Sequence, residues 1–174
     1  MTLGVEGLDP ARHERSGFEC GNSSLDEWLR VFAHQNDTKH NTGRTWVAVD
    51  DDMAGVRGRV PIMGYVTIAA HGVGLAELRE VLPGGSLPDP TPAALIGRLA
   101  VDRREQGRHL GGRLLRFAVE KVLAADAHLA IPFVVVEAID ENAARFYEHH
   151  GFLRVPDSGR LLARTSDLAA AFDL

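Results

Sequence analysis

Cysteine is nearly absent from this chain. The single Cys20 cannot close an intramolecular disulfide and excludes a metal site built from thiolates alone, so a reducing, cytoplasmic setting is expected. Excess positive charge is missing too. The 19 lysines and arginines face 24 aspartates and glutamates, giving −5, so the chain is no globally basic nucleic-acid coat, although a local basic patch stays open. No uncharged apolar run reaches the roughly 18–20 residues of a membrane span, so no membrane association is expected. Met1 to Pro10 carries Glu6 and Asp9 without a basic start leading into an apolar run, so no signal peptide is expected there. Repeats and low-complexity stretches are also lacking. What is present is 174 residues with an ordinary 45% hydrophobic share. That is about one domain, large enough to bury a core without metal or disulfide staples.

Apolar spacing orders the elements. A first helix starts at Asn22-Ser23-Ser24, where Ser24 and Glu27 make a capping-box pattern. Leu25, Trp28, Leu29, Phe32 and Ala33 follow at helical spacing as the buried face, leaving Asp26, Arg30 and His34 outward. Thr45 to Val49 reads as a strand stopped by Asp50-Asp51-Asp52, and a glycine-containing turn leads to a second strand, roughly Ile62 to Ala70. Between Gly72 and Pro92, prolines and glycines cluster at Pro83-Gly84-Gly85 and Pro88-Asp89-Pro90. A short helix over Leu75 to Val81 and a mobile surface loop are expected there, and not an interdomain linker. Ala93 to Val101 is a strand buried on both faces. A long helix then carries an inner stripe of Leu110, Leu114, Phe117, Ala118, Val122 and Ala125. Ile131 to Val136 is the next strand, Asn142 to His150 a helix capped by Gly151, and short strands near Phe152 and Leu161 to Ala163 close the chain. The expectation is one mixed α/β domain over residues 1–174, its sheet flanked by helices.

The turn between the Ala93–Val101 strand and the long helix is the most informative stretch. A helix N-terminus offers amides without intrahelical acceptors, and the helix dipole adds to their attraction for anions. Gly107, Gly111 and Gly112 let a ligand come close to the backbone. From Arg98 to Arg116, six arginines against Asp102 and Glu105 give +4 in a chain of net −5. The asymmetry favours a polyphosphate ligand. The plain alternative is a tight turn beside a solvated helix face. The turn has neither the Gly-Lys-Ser/Thr of a P-loop nor a dinucleotide GxGxxG.

Gln106, His109 and Gly111 resemble the acyl-CoA pyrophosphate loop of the GNAT (general N-acetyltransferase) superfamily, Arg/Gln-x-x-Gly-x-Gly/Ala, with His109 standing where the family usually has glycine. Ala138 to Phe152, which holds Asn142, Tyr147, Gly151 and Phe152, is similar to the family's closing segment N-x-x-A-x-x-[FL]-Y-x-x-x-G-F. Phe18 to Leu29, Gly64 to Ile68 and Ile96 to Asp102 further resemble the GNAT toxins of bacterial toxin–antitoxin pairs. The resemblance covers nearly the whole chain. It implies a GNAT fold, acetyl-CoA as acyl donor held by Gln106, Gly107, Arg108, His109, Leu110, Gly111, Gly112 and Asn142, and transfer to the α-amine of aminoacyl-tRNA. It also implies a small DNA-binding antitoxin as partner and is compatible with a homodimer.

A neutral amine must attack the thioester, and the departing thiolate, with a reference pKa of about 8.5, is helped by a nearby proton donor. The resemblance makes Tyr147 that donor. By itself, a tyrosine on such a helix is first of all a core residue. Backbone groups of Leu99, Ala100 and Val101 are the family's counterpart for polarising the thioester carbonyl. No general base stands out among Glu137, His34, His40 and His71, and an α-amine near pKa 8 needs less help than a lysine near about 10.4. Cys20 reads as packing. Lys39, Arg44 and Arg98, with Arg57 and Arg59, are the cations for acceptor phosphates, although Asp37 and Asp50 to Asp52 interrupt them. No metal is expected. Three readings stay open: a toxin acetylating aminoacyl-tRNA, an acetyltransferase for a small amine or protein N-terminus, and a non-catalytic CoA-binding module.

Overall fold

A computed structural model describes residues 2–53 and 55–174. In chain order it places β1 (Leu3–Gly7), β2 (His13–Glu14), α1 (Ser23–Glu27), β3 (Arg44–Asp50), β4 (Val60–Val73), α2 (Leu75–Arg79) and β5 (Thr91–Val101). Then come α3 (Leu110–Leu129), β6 (Phe133–Glu137), α4 (Glu141–His149), β7 (Leu153–Arg154), β8 (Arg160–Arg164) and α5 (Thr165–Ala171). The strands form a mixed sheet in the order β1-β3-β4-β5-β6-β8-β7, with β2 parallel to β4 at the pairs His13–Val60 and Glu14–Pro61. β1 with β3, β3 with β4, β6 with β8 and β7 with β8 run antiparallel, whereas β5 and β6 are parallel from Ala93–Phe133 to Ile96–Val136. A register shift after Ala48 bulges β3 against β4. The expected α/β architecture of a mixed sheet with flanking helices is what the chain forms.

The contacts sort into two compact units. The first takes in residues up to Ile68 together with Arg98–Phe117, and the second Ala69–Gly97 with Ala118–Leu174. In the first, Phe18, Leu29, Val47, Ile62, Tyr65 and Ala100 belong to one buried cluster. Tyr65 lies edge-on to Phe18 at 5.5 Å and stacked on Trp28 at 5.9 Å, and its buried hydroxyl donates to the Leu25 carbonyl at 2.9 Å. In the second, Leu78, Leu82, Phe133, Val135, Val155 and Leu162 pack together.

Several sequence expectations need correction. The first helix is capped by Asn22, whose side-chain oxygen accepts the Leu25 N–H at 3.1 Å, so the Ser24–Glu27 capping box does not form. Asp26 is buried, not outward, because its carboxylate accepts the Cys20 N–H at 2.9 Å. Beyond Glu27 the helix continues as wide π-type turns over Trp28–Phe32 and Gln35–Lys39. A wide turn holds one residue more than the simple repeat assumes, and Phe32 consequently rotates out to 45% exposure. β6 begins at Phe133 instead of Ile131. The Ile131 N–H donates to Asp126, and the Ile131 and Pro132 carbonyls accept from the Thr165 hydroxyl and N–H. β1, β2 and α5 lie outside the expected order altogether.

Candidate acyl-CoA site

The turn after β5 is fixed before any ligand arrives. The Asp102 side chain is almost wholly buried and gathers four donors: the Glu19 N–H at 3.2 Å, the Arg104 N–H at 3.0 Å, and Arg104 Nε and Nη2 at 2.8 and 3.0 Å. Burial alone would raise its carboxyl pKa, but the Arg104 side chain and the two amides outweigh that and hold it below the usual range. The Asp102 N–H in turn donates to the Met63 carbonyl at 2.9 Å. Gln106 sends its side-chain amide back to the carbonyls of Cys20 and Val101 at 2.8 and 2.9 Å. The Gln106 side chain therefore braces the turn from within.

Gly107 takes φ 78° and His109 takes φ 62° before α3 begins at Leu110. His109 thus occupies the left-handed conformation for which glycine is the usual residue, and its side chain is exposed. The His109 carbonyl accepts the Arg113 N–H at 3.2 Å, so the amides of Leu110, Gly111 and Gly112 precede the first intrahelical donor. Those amides, on a 20-residue helix, can meet phosphate oxygens. Leu110 itself is buried and contributes its backbone, while Gly107 and Arg108 are exposed. On β5, Ala100 is buried and Leu99 and Val101 are half-buried. Sequence reasoning gave no role to Gly64. A Cβ there would stand 2.9 Å from Leu114 Cδ1 and 3.0 Å from the Ala100 carbonyl oxygen, so only glycine lets β4 pass at this distance.

The arginine surplus is smaller than the count suggests. Arg104 is paired with Asp102, Arg108 with Glu105 at 3.0 Å and Arg103 with Glu19 at 3.7 Å. Arg98 lies over the Trp28 ring at 4.3 Å. Of the other acceptor candidates, Lys39 is exposed, and Arg44 is taken up by the Asp37 carboxylate and carbonyl at 3.0 and 2.9 Å. His34 has a buried, unpartnered Nδ1, and His40 is exposed. Cys20 is half-buried, with its thiol pKa pushed up to about 11 by burial and by the Asp26 carboxylate, so it stays protonated and unreactive.

Tyr147 and Asn142 belong to the second unit. α4 is capped by Asp140, whose carboxylate accepts the Ala143 N–H at 2.8 Å. Tyr147 sits on the buried face at 4% exposure, edge-on to Phe152 at 5.7 Å. Burial pushes its phenol pKa well above the ordinary value, so the proton stays in place at neutral pH. Asn142, one residue inside the helix, is exposed and accepts from Arg145 Nη2 at 2.5 Å. Among the base candidates here, Glu137 pairs with Arg160 at 3.2 Å and His71 has a buried Nε2 without a partner. Among the described residues, no three His, Cys, Asp or Glu side chains gather as metal donors, and no helix is long and apolar enough to cross a membrane.

Residues 11–152 match the acetyltransferase (GNAT) family model. The chain is 36% identical over 140 residues to the tRNA-acetylating toxin of Mycobacterium tuberculosis, covering 79% of this chain and 76% of that protein. The crystal structure of a tyrosine-to-phenylalanine mutant of KacT superposes with a TM-score of 0.83 at 25% identity, covering 98% of this chain and 99% of that one. AtaTR bound with acetyl-CoA gives a TM-score of 0.76 at 25% identity, with 98% of each chain covered.

Proposed function

The chain belongs to the acetyltransferase (GNAT) family, and from that premise we propose that it transfers acetyl from acetyl-CoA to the α-amine of aminoacyl-tRNA and so blocks translation. The observation that carries this reading is the similarity to the M. tuberculosis tRNA-acetylating toxin across more than three quarters of the chain. Residues 1–174 are taken as one domain of the family, working in the cytoplasm, where charged tRNA is found. A small DNA-binding antitoxin is the partner this reading brings with it.

In this account the pyrophosphate rests on the amides of Leu110, Gly111 and Gly112. Gln106 and Asp102 hold the turn in place. The backbone of Leu99, Ala100 and Val101 runs beside the pantetheine arm and polarises the thioester carbonyl. The neutral α-amine attacks the carbonyl carbon, a C–N bond forms, and the C–S bond of the tetrahedral intermediate breaks. The departing thiolate takes the Tyr147 phenol proton, the amine releases its surplus proton to water, and the phenolate regains a proton from water. The products are N-acetylaminoacyl-tRNA and CoA. Burial keeps the Tyr147 phenol protonated at neutral pH and so available as the donor, and the phenolate left behind, a stronger base than a thiolate, readily regains its proton. Cys20, neutral and half-buried, takes no part.

A second reading, transfer to a small amine or protein N-terminus, is favoured by the net charge of −5 and by the pairing of Arg44 with Asp37. A translation extract separates the two. Protein together with acetyl-CoA should arrest synthesis, and protein alone should not. Continued synthesis with both present would remove the tRNA reading.

A further inference from the structure

Away from the phosphate turn, the first unit carries a cleft of about 420 Å³ with Arg15, Arg30, Arg57 and Arg59 around it, together with Glu14 and Ser16. Two local devices build it. The parallel pairing of β2 with the start of β4 sets residues 13–16 beside residues 57–59. Arg15 Nη1 donates to the Arg30 carbonyl at 3.2 Å and ties the same segment to the wide helical turn Trp28–Phe32. The turn that carries Arg57 and Arg59 is tight. A Cβ on Gly55 would collide with the Arg59 carbonyl oxygen, and Arg57 and Gly58 both have positive φ, 60° and 74°.

Among the described residues, none of these four guanidinium groups has an ion-pair partner, in contrast to neighbouring Arg12, which meets Glu6 and Asp51. The one carboxylate of the cleft, Glu14, is engaged by the Ser16 N–H and hydroxyl at 2.8 and 2.5 Å. Four forked cations facing one carboxylate, in a chain of net −5, make a concentrated anion site. No apolar side chain lines it. A docking peptide draws on apolar anchors, which this cleft does not provide, whereas a phosphate backbone needs charge and donors alone.

We propose that this cleft is a subsite for backbone phosphates of the RNA acceptor, a role that rests on the tRNA reading above and adds to it a place where the tRNA body is gripped. The test uses Arg57→Asn with Arg59→Gln, asparagine being chosen because it tolerates the left-handed backbone at position 57. Arg30→Gln, on a different element, is the second variant. Uncharged tRNA binding is measured against salt, and acetylation of charged tRNA is followed for KM and kcat. Unaltered acetyl-CoA affinity reports intact folding.

The double variant should bind tRNA at least tenfold more weakly, with a log–log salt slope shallower by about 1.5, and raise KM while kcat holds. Arg30→Gln should flatten the slope by nearly one unit. Full tRNA affinity and an unchanged slope in both variants would overturn the proposal. So would loss of binding to polyglutamate alone, which would assign the cleft to an acidic protein segment. If the unsubstituted protein binds tRNA through these arginines yet does not acetylate it, the cleft stands and the tRNA acetylation reading fails.

Discussion

Two residues carry most of the proposed chemistry. Tyr147 is proposed from its motif, but the motif says nothing of its surroundings. Its 4% exposure explains why its proton is held at neutral pH. Tyr147→Phe should keep the edge-on contact with Phe152 and lose the hydroxyl, lowering kcat on the order of 10²–10⁴-fold with little change in acetyl-CoA affinity by calorimetry. Near-normal turnover would show that water or another group protonates the sulfur. His109 was legible only as a departure from glycine, and the backbone gives that departure a physical form at φ 62°. A side chain in this region costs on the order of 1 kcal/mol, and in the proposed site it would crowd the approach of the phosphates. His109→Gly should therefore not lower Tm and should tighten acetyl-CoA binding up to about tenfold, or about 1.4 kcal/mol. Weaker binding would mean that the imidazole helps hold the anion. Asp102 shows the opposite case, a residue quoted in the sequence without a role. Its four donors come partly from Glu19, 83 positions away, and no local pattern reveals such a contact.

At the level of elements, the proposed donor site lies at the start of α3, and Asp102 holds the turn before it. Gly111→Glu puts a carboxylate and bulk on the first turn of the helix, so calorimetry should detect no acetyl-CoA binding. Unchanged affinity would remove this helix end from the site. Asp102→Asn should cost about 1–3 kcal/mol of stability, since a buried, multiply hydrogen-bonded anion is replaced by a neutral group. Its folded pKa is depressed below the unfolded value of about 3.9. Its contribution is therefore complete above that value and is lost as pH falls through the window beneath it. Denaturant midpoints should drop as pH falls below about 4 in the unsubstituted protein and less steeply in Asp102→Asn. Equal slopes would show that other carboxylates govern acid unfolding. Long elements such as β4, β5 and α3 were legible because apolar runs and stripes repeat over many residues. β1 was not, since Leu3–Gly7 is five residues with two glycines. α5 is only seven residues long and is preceded by Arg164 without a side-chain cap, so it carries no start signal. The wide turns after α1 also escaped a 3.6-residue reading, and the outward Phe32 is the result.

Across the whole molecule, net charge misled more than it informed. A total of −5 argues mildly against RNA, and the six arginines near α3 argue for phosphate, yet three of those six are paired with carboxylates in the same stretch or at Glu19. Arg15, Arg30, Arg57 and Arg59 instead share a cleft whose one carboxylate, Glu14, interacts with Arg59 and Arg15, and the pairing of β2 with β4 and the Arg15 bond to the Arg30 carbonyl bring them together. Charge on this chain is meaningful by neighbourhood, and the proposed function gives one anion site to the acyl donor and another to the body of the acceptor. The most direct measurement of that account is the rate of acetyl transfer from acetyl-CoA to charged tRNA, to the matching free amino acid and to a peptide N-terminus, each followed across a salt series. Charged tRNA should be the fastest acceptor, with a rate that declines linearly on a log–log salt plot. Equal or faster transfer to the small acceptors, without salt dependence, would contradict it.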